Sequence, residues 1–124
     1  MSKPRILIVD DEEPVLKACV RALGEITGVE VVQRKAGDQA ALLLSTENFD
    51  LLISDICMPG LSGLDLLEIA HEVDPDLPVI LITGFGPPET QEGSAALGAS
   101  ACLMKPIRPD ELINITKEVL RRGR

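Results

Sequence analysis

Four places in this sequence carry side chains that could do chemistry together: Asp10-Asp11, Asp55, Thr83 and Lys105. Each closes a short apolar run. Ile6-Leu7-Ile8-Val9 leads into Asp10-Asp11-Glu12-Glu13, Leu51-Leu52-Ile53 into Asp55, Val79-Ile80-Leu81-Ile82 into Thr83-Gly84, and Ala101-Cys102-Leu103-Met104 into Lys105-Pro106. Taken singly, each has an ordinary reading. Acids are favoured at a helix start, Asp55 could cap a turn at Met58-Pro59-Gly60, Lys105 could be a solvated lysine, and Thr83 is a strand former. Side by side they place three carboxylates, a hydroxyl and an ammonium on one rim. Two carboxylates about 4 Å apart repel by about 4 kcal/mol at an effective dielectric of about 20. Three would therefore hold extra protons or bind a cation. Hard oxygen ligands in this number suit Mg²⁺, which keeps several waters and leaves room for a phosphate oxygen. A carboxylate in such a site can act as nucleophile toward a phosphoryl group, giving an aspartyl phosphate. Thr83, Lys105 and nearby backbone N–H groups would then offset the developing charge.

The elements that must position these residues follow from periodicity. The apolar runs are too short for helices and lack alternation, as expected of strands buried on both faces of a parallel sheet. A fifth run, Val29 to Arg34, is diluted by Glu30, Gln33 and Arg34 and reads as an edge strand. Helical spacing lies between the strands. Val15, Cys19, Ala22 and Ile26 share a face, with Pro14 in the first turn and Gly28 beyond the end. Ala40, Leu43 and Leu44 repeat the pattern, as do Leu64, Leu67 and Ala70-His71 before Asp74-Pro75, and Leu112, Ile115-Thr116 and Val119 after Pro109-Asp110. The weakest helix is the fourth. Gly86-Pro87-Pro88 delays it and Gly93 interrupts it, which leaves two turns around Ala95-Ala96-Leu97. Five βα units imply an α/β fold with a five-stranded parallel sheet, helices on both faces, right-handed crossovers and strand order 2-1-3-4-5. Sites in such doubly wound sheets lie at the C-terminal ends of the strands, near the topological switch point. That is where the four chemical stretches fall.

Composition narrows the function further. The 124 residues suit one domain, here taken as 1–124, and 45% apolar content supports a core without staples. The only aromatics are Phe49 and Phe85, so the core must be aliphatic. Twenty acids against twelve bases give a net charge of −8. That excess argues against direct nucleic-acid binding, which wants a basic stripe, and against docking on anionic membrane. No signal peptide or membrane-length run is visible. Cys19, Cys57 and Cys102 form neither a disulfide framework nor a zinc spacing, which fits a reducing compartment, and the chain reads as cytoplasmic.

In order and at strand ends, Asp10-Asp11, Asp55-Ile56-Cys57-Met58-Pro59-Gly60 with Gly63, Thr83-Gly84 and Lys105-Pro106 resemble the response-regulator receiver domains of bacterial two-component signalling. The resemblance runs from Ile6 to about Arg121 and implies a flavodoxin-like (βα)5 fold. It also implies roles. Asp55 would accept a phosphoryl group from a phosphohistidine, and Asp11, Asp55 and the carbonyl of Cys57 would bind Mg²⁺ directly, with Asp10 acting largely through water. Thr83 would hold a phosphoryl oxygen and move inward, Lys105 would pair with the phosphoryl group, and the Lys105–Pro106 peptide would be cis. The implied partner is a histidine kinase or a histidine phosphotransfer domain, with the chain a monomer or a weak phosphorylation-dependent dimer. The stretch Leu103-Met104-Lys105-Pro106-Ile107 resembles receivers of hybrid histidine kinases, so both a stand-alone receiver and part of a larger protein fit.

Two departures bear on output. The family's aromatic switch residue, three positions before the lysine, is here Cys102, which has no ring to turn and reads as a small core residue. A redox role is disfavoured, since a strand-embedded thiol far from cations has no reason to ionise. The Pro87-Pro88 and Gly93 stretch predicts a short or mobile fourth helix. Cys57 and Phe85, two residues past Asp55 and Thr83, are expected to flank the phosphate, with Phe85 shielding it from water, and His71 reads as a surface or half-buried histidine. Three rival readings fit less well. A flavodoxin-like cofactor module needs a phosphate-cradling loop where Asp10-Asp11-Glu12-Glu13 stands. An aspartate-nucleophile phosphatase wants an acid two residues past Asp55, where Cys57 stands. A pseudo-receiver acting as an interaction module would have lost an acid, Thr83 or Lys105, and all are present.

Overall fold

The computed structural model describes residues 3–84 and 98–123. Its strands are β1 (Arg5–Val9), β2 (Glu30–Arg34), β3 (Leu51–Asp55), β4 (Val79–Thr83) and β5 (Ala101–Met104), and its described helices are α1 (Glu13–Leu23), α2 (Gly37–Thr46), α3 (Gly63–Val73) and α4 (Pro109–Arg122). The strands form one parallel sheet in the order β2-β1-β3-β4-β5. The expected order and class hold.

Strand alternation splits the core into two layers. Ile6, Ile8, Ile53, Ile80 and Ile82 face α1 and α4, meeting Leu16, Cys19, Leu23, Leu112 and Val119. Leu7, Val9, Leu52, Val79 and Leu81 face the other way, onto Ala40 and Leu44 of α2 and Leu66, Leu67 and Ala70 of α3. Both faces being covered explains why the central strands are apolar without alternation. β2 has one neighbour and exposes Glu30 and Gln33, as its diluted sequence predicts.

The structure corrects the sequence reading in detail. α1 stops at Leu23 rather than running on to Ile26. The chain tightens there, Ile26 N–H donating to the Leu23 carbonyl at 3.0 Å, and Ile26 still reaches the core from beyond the helix. Gly28, at φ 82°, then supplies the left-handed turn into β2. Leu16 and Leu66 are buried although the spacing used above passed over them. The fourth helix expected around Ala95-Ala96-Leu97, with Pro87, Pro88 and Gly93, lies outside the described residues.

Arg5 ties together the pole opposite the chemical rim. Its guanidinium pairs with Glu30 Oε2 at 2.9 Å and Glu47 Oε1 at 2.8 Å and donates to the Asn48 carbonyl at 3.0 Å. It also lies 4.7 Å from the centre of the Phe49 ring, while its backbone N–H donates to Asp50 Oδ2 at 2.8 Å.

One buried group is poorly served. Thr116 lies on the buried stripe of α4 with Leu112 and Val119, fully covered, and its Oγ1 has no hydrogen-bond partner. An unsatisfied buried hydroxyl is costly, and valine has nearly the same shape. Thr116→Val is expected to add about 1 kcal/mol to stability, read as a higher urea midpoint at unchanged slope. A lower midpoint would show that the hydroxyl is satisfied.

Candidate functional site

The C-terminal ends of the strands bring the singled-out residues together. Asp10 follows β1, and its N–H donates to the Arg34 carbonyl of β2 at 3.3 Å. Its carboxylate is 1% exposed: Oδ1 accepts the Glu12 N–H at 2.8 Å, and Oδ2 accepts no hydrogen bond, lying 3.3 Å from Lys105 Nζ. The helix-start reading of Asp10-Asp11 does not hold as a cap: Glu12 is the N-cap of α1 and no side chain caps it, while Asp10 Oδ1 serves the turn before the helix and Oδ2 faces the pocket. Asp55 ends β3 and is 2% exposed. Its Oδ1 accepts the Cys57 N–H at 3.3 Å, and its Oδ2 accepts from Lys105 Nζ at 3.2 Å. Asp11 is exposed, yet it offers a carboxylate oxygen such that those of Asp10, Asp11 and Asp55 all lie within 4.8 Å of one another.

The neighbouring strands supply the other two groups. Thr83 is buried at the end of β4, and its carbonyl accepts the Lys105 N–H at 2.8 Å, which joins the ends of β4 and β5. The Lys105–Pro106 peptide is cis, as the resemblance implied. The backbone under Asp55 is held from two sides. Ile56 N–H donates to the Ile82 carbonyl at 2.8 Å, and Gly63 N–H to the Ile56 carbonyl at 3.0 Å. α3 can approach so closely because residue 63 has no side chain: a Cβ there would lie 2.4 Å from the Asp55 carbonyl oxygen. Ser62 and Asp65 close a capping box at the same helix start.

Electrostatics make this rim uncomfortable without a cation. Burial, and then the charge of Asp10, pushes the Asp55 carboxyl up to about 6 from an ordinary 3.8. Burial raises Asp10 as well, against the Glu12 N–H and Lys105. At Lys105 burial acts to lower the ammonium's pKa but is outweighed by Glu12, Asp10 and Asp55, so the net shift is upward and the ammonium stays charged. Burial, with Asp10 adding to it, takes the Cys19 thiol up to about 11, so it stays protonated beneath the rim. The donor set fits a hard divalent cation. It offers oxygen ligands only, an excess of negative charge, and a buried carboxylate oxygen on Asp10 that no hydrogen bond satisfies.

Sequence reasoning missed one participant. Glu12 Oε1 contacts Lys105 Nζ directly, from the loop that carries Asp10 and Asp11. Its position beside the acidic pair was the available signal, but nothing in spacing says that Lys105 would reach it. Cys57 is exposed, and its backbone N–H is engaged by Asp55. Cys102 is half-buried and packs against the α2–α3 core layer, less enclosed than a core residue. His71 is half-buried, with Nε2 3.0 Å from the Leu77 carbonyl. Phe85 lies outside the described residues.

The described strands thus form a doubly wound parallel 2-1-3-4-5 module that gathers an acidic triad, a threonine and a lysine on its switch-point rim. The response regulator receiver domain family matches residues 6–117, and the chain belongs to that family. It is thus a receiver domain of two-component signalling. The phosphoglycerate transport system transcriptional regulatory protein PgtA of Salmonella typhimurium is 34% identical over 119 residues, 96% of this chain but 28% of that protein. The response regulator receiver protein CpdR of Brucella abortus is 35% identical over 116 residues, covering 94% of this chain and 96% of CpdR. A CheY-like receiver domain structure from Methanospirillum hungatei superposes with a TM-score of 0.88 at 36% identity, covering 98% of this chain and 96% of that one. Among the described residues, no helix is long and apolar enough to cross a membrane.

Proposed function

We propose that this receiver, residues 1–124, accepts a phosphoryl group on Asp55 from the phosphohistidine of a histidine kinase or histidine phosphotransfer domain, in a Mg²⁺-dependent reaction. The observation that supports it most is the Asp55 carboxylate: buried at a strand end, with Asp10 and Asp11 oxygens within 4.8 Å and the Lys105 ammonium at 3.2 Å. Asp10, Asp11, Asp55 and the Cys57 carbonyl are the groups that would hold Mg²⁺, which when bound supplies the positive charge that lets acids and phosphoryl oxygens share one pocket. An Asp55 carboxylate oxygen attacks phosphorus, and the bond from phosphorus to the donor's imidazole nitrogen breaks. Its electron pair stays on that nitrogen, and with the donor's other ring nitrogen carrying a proton the imidazole leaves neutral and needs no acid from this chain. Lys105, charged throughout, pairs with the phosphoryl oxygens, and the Thr83 hydroxyl at the adjoining strand end donates to one of them. The chain acts on no substrate beyond its own phosphorylation and dephosphorylation.

Incubation with acetyl phosphate, followed by intact mass measurement, tests the reading. Wild type with Mg²⁺ should gain one phosphoryl group, while Asp55→Asn, and wild type with a chelator, should gain none. An unlabelled wild type with Mg²⁺ present would overturn it.

A further inference from the structure

The Lys105 ammonium is shared among three acids. It donates to Asp55 Oδ2 at 3.2 Å and lies 3.3 Å from Asp10 Oδ2, and its tightest contact is with Glu12 Oε1. The first two carboxylates are buried, whereas the Glu12 side chain is 58% exposed. The Glu12 backbone, in contrast, is anchored. Its N–H donates to Asp10 Oδ1 at 2.8 Å, and its carbonyl accepts the Leu16 N–H of α1 at 3.0 Å. A movable carboxylate thus hangs from a fixed backbone against the ammonium of the pocket. The reaction proposed above makes no use of it.

A phosphoryl group on Asp55 would bring new acceptor oxygens and negative charge to the same ammonium. It and Glu12 are then rivals of like sign. The contest has one easy outcome, because Glu12 can turn into water and stay hydrated, while Asp10 and Asp55 cannot leave the pocket. Resting on the phosphoacceptor reading, we propose that Glu12 is a positioning residue that holds Lys105 over the pocket in the unphosphorylated protein and must release it when a phosphoryl group arrives. Glu12 thereby sets how much of the affinity for a phosphoryl group Lys105 delivers.

Calorimetric titration with beryllofluoride, a phosphoryl mimic, in the presence of Mg²⁺ tests this in wild type, Glu12→Gln and Glu12→Asp, each with Lys105 and with Lys105→Gln. Glu12→Gln should tighten binding by about fivefold, the scale of one exposed ion pair to Lys105 that no longer has to be broken. Glu12→Asp keeps the charge but is one methylene short of Lys105, and should tighten binding comparably. Both gains should vanish with Lys105→Gln, since the coupling runs through that residue. A gain that persists without Lys105, or that Glu12→Asp fails to reproduce, reflects bulk charge and overturns the proposal. A second measurement needs no phosphoryl mimic. Reductive methylation of Lys105 in the cation-free protein, followed by mass spectrometry, should run several-fold faster in Glu12→Gln, and an unchanged rate overturns the proposal. Wild type that binds no beryllofluoride overturns the phosphoacceptor reading and this role with it. Bound mimic with unchanged Lys105 reactivity overturns the role of Glu12 alone.

Discussion

Asp55→Asn should make the cation-free protein more stable, by about 2–3 kcal/mol near neutral pH. The size follows from the carboxyl's rise from 3.8 to about 6, at about 1.4 kcal/mol for each pH unit. The sign follows from proton counting. Between those two values the folded chain keeps a proton that the unfolded chain has released, so wild-type stability falls as pH rises through the window. The substituted side chain, a neutral amide at every pH, escapes the loss. The two proteins should therefore unfold with similar free energies at about pH 4, draw apart as pH rises to about 6, and keep a constant gap above it. Urea unfolding in a chelator across that range measures the gap. Parallel pH profiles would show that Asp55 is not strained in the fold. On the function proposed above, Mg²⁺ should narrow the gap by binding folded wild type. The residue proposed to carry the function is thus the one whose removal the fold should welcome.

Gly63→Ala should do the opposite and strongly. Its Cβ would stand 2.4 Å from the Asp55 carbonyl oxygen and 2.8 Å from Ile56 Cα. Both are backbone atoms, in a stretch anchored by the Ile56 N–H to the Ile82 carbonyl and the Gly63 N–H to the Ile56 carbonyl, so no flexible side chain can yield. Alanine gains about 0.5–1 kcal/mol over glycine in a helix, but overpacking of this kind costs about 3 kcal/mol, and the clash wins. A fall of roughly 10 °C in melting temperature is expected for a chain of this length. Gly24→Ala is the control. Gly24 is right-handed at φ −64°, and its Cβ would meet only the Val20 and Arg21 carbonyl oxygens at 3.4 Å. It should melt within a few degrees of wild type. Equal melting of Gly63→Ala and wild type would show that α3 does not depend on that close approach.

The rim could be read before the structure because the fold makes it periodic. Each apolar run ends where its strand ends, and parallel strands end on one side, so Asp10, Asp55, Thr83 and Lys105 were placed by counting. Pairing across the rim could not be read that way. Glu12 and Lys105 are 93 residues apart, and their contact depends on side-chain reach. Gly63 stood out in the motif, but the collision that a Cβ would make became visible only once α3 was docked on β3. Leu16, Leu66 and Ile26 show the limit of helical spacing. Core stripes are wider than one row of positions, and a buried side chain need not sit inside the helix that points to it.

The Arg5 cluster gives the sheet a property that concerns neither end alone. Attractions among Arg5, Glu30 and Glu47 hold one pole, while repulsion among Asp10, Asp11 and Asp55 loads the other. Monovalent salt weakens both, relaxing the second pole as it loosens the first. Ionic strength therefore pulls on this fold in two directions that partly cancel, and a flat salt response would conceal two opposed electrostatic loads. A divalent cation has no such symmetry. On the function proposed above it would find its ligands, among the described residues, at the Asp10–Asp11–Asp55 pole alone, and the fold would register it against a background of ordinary salt.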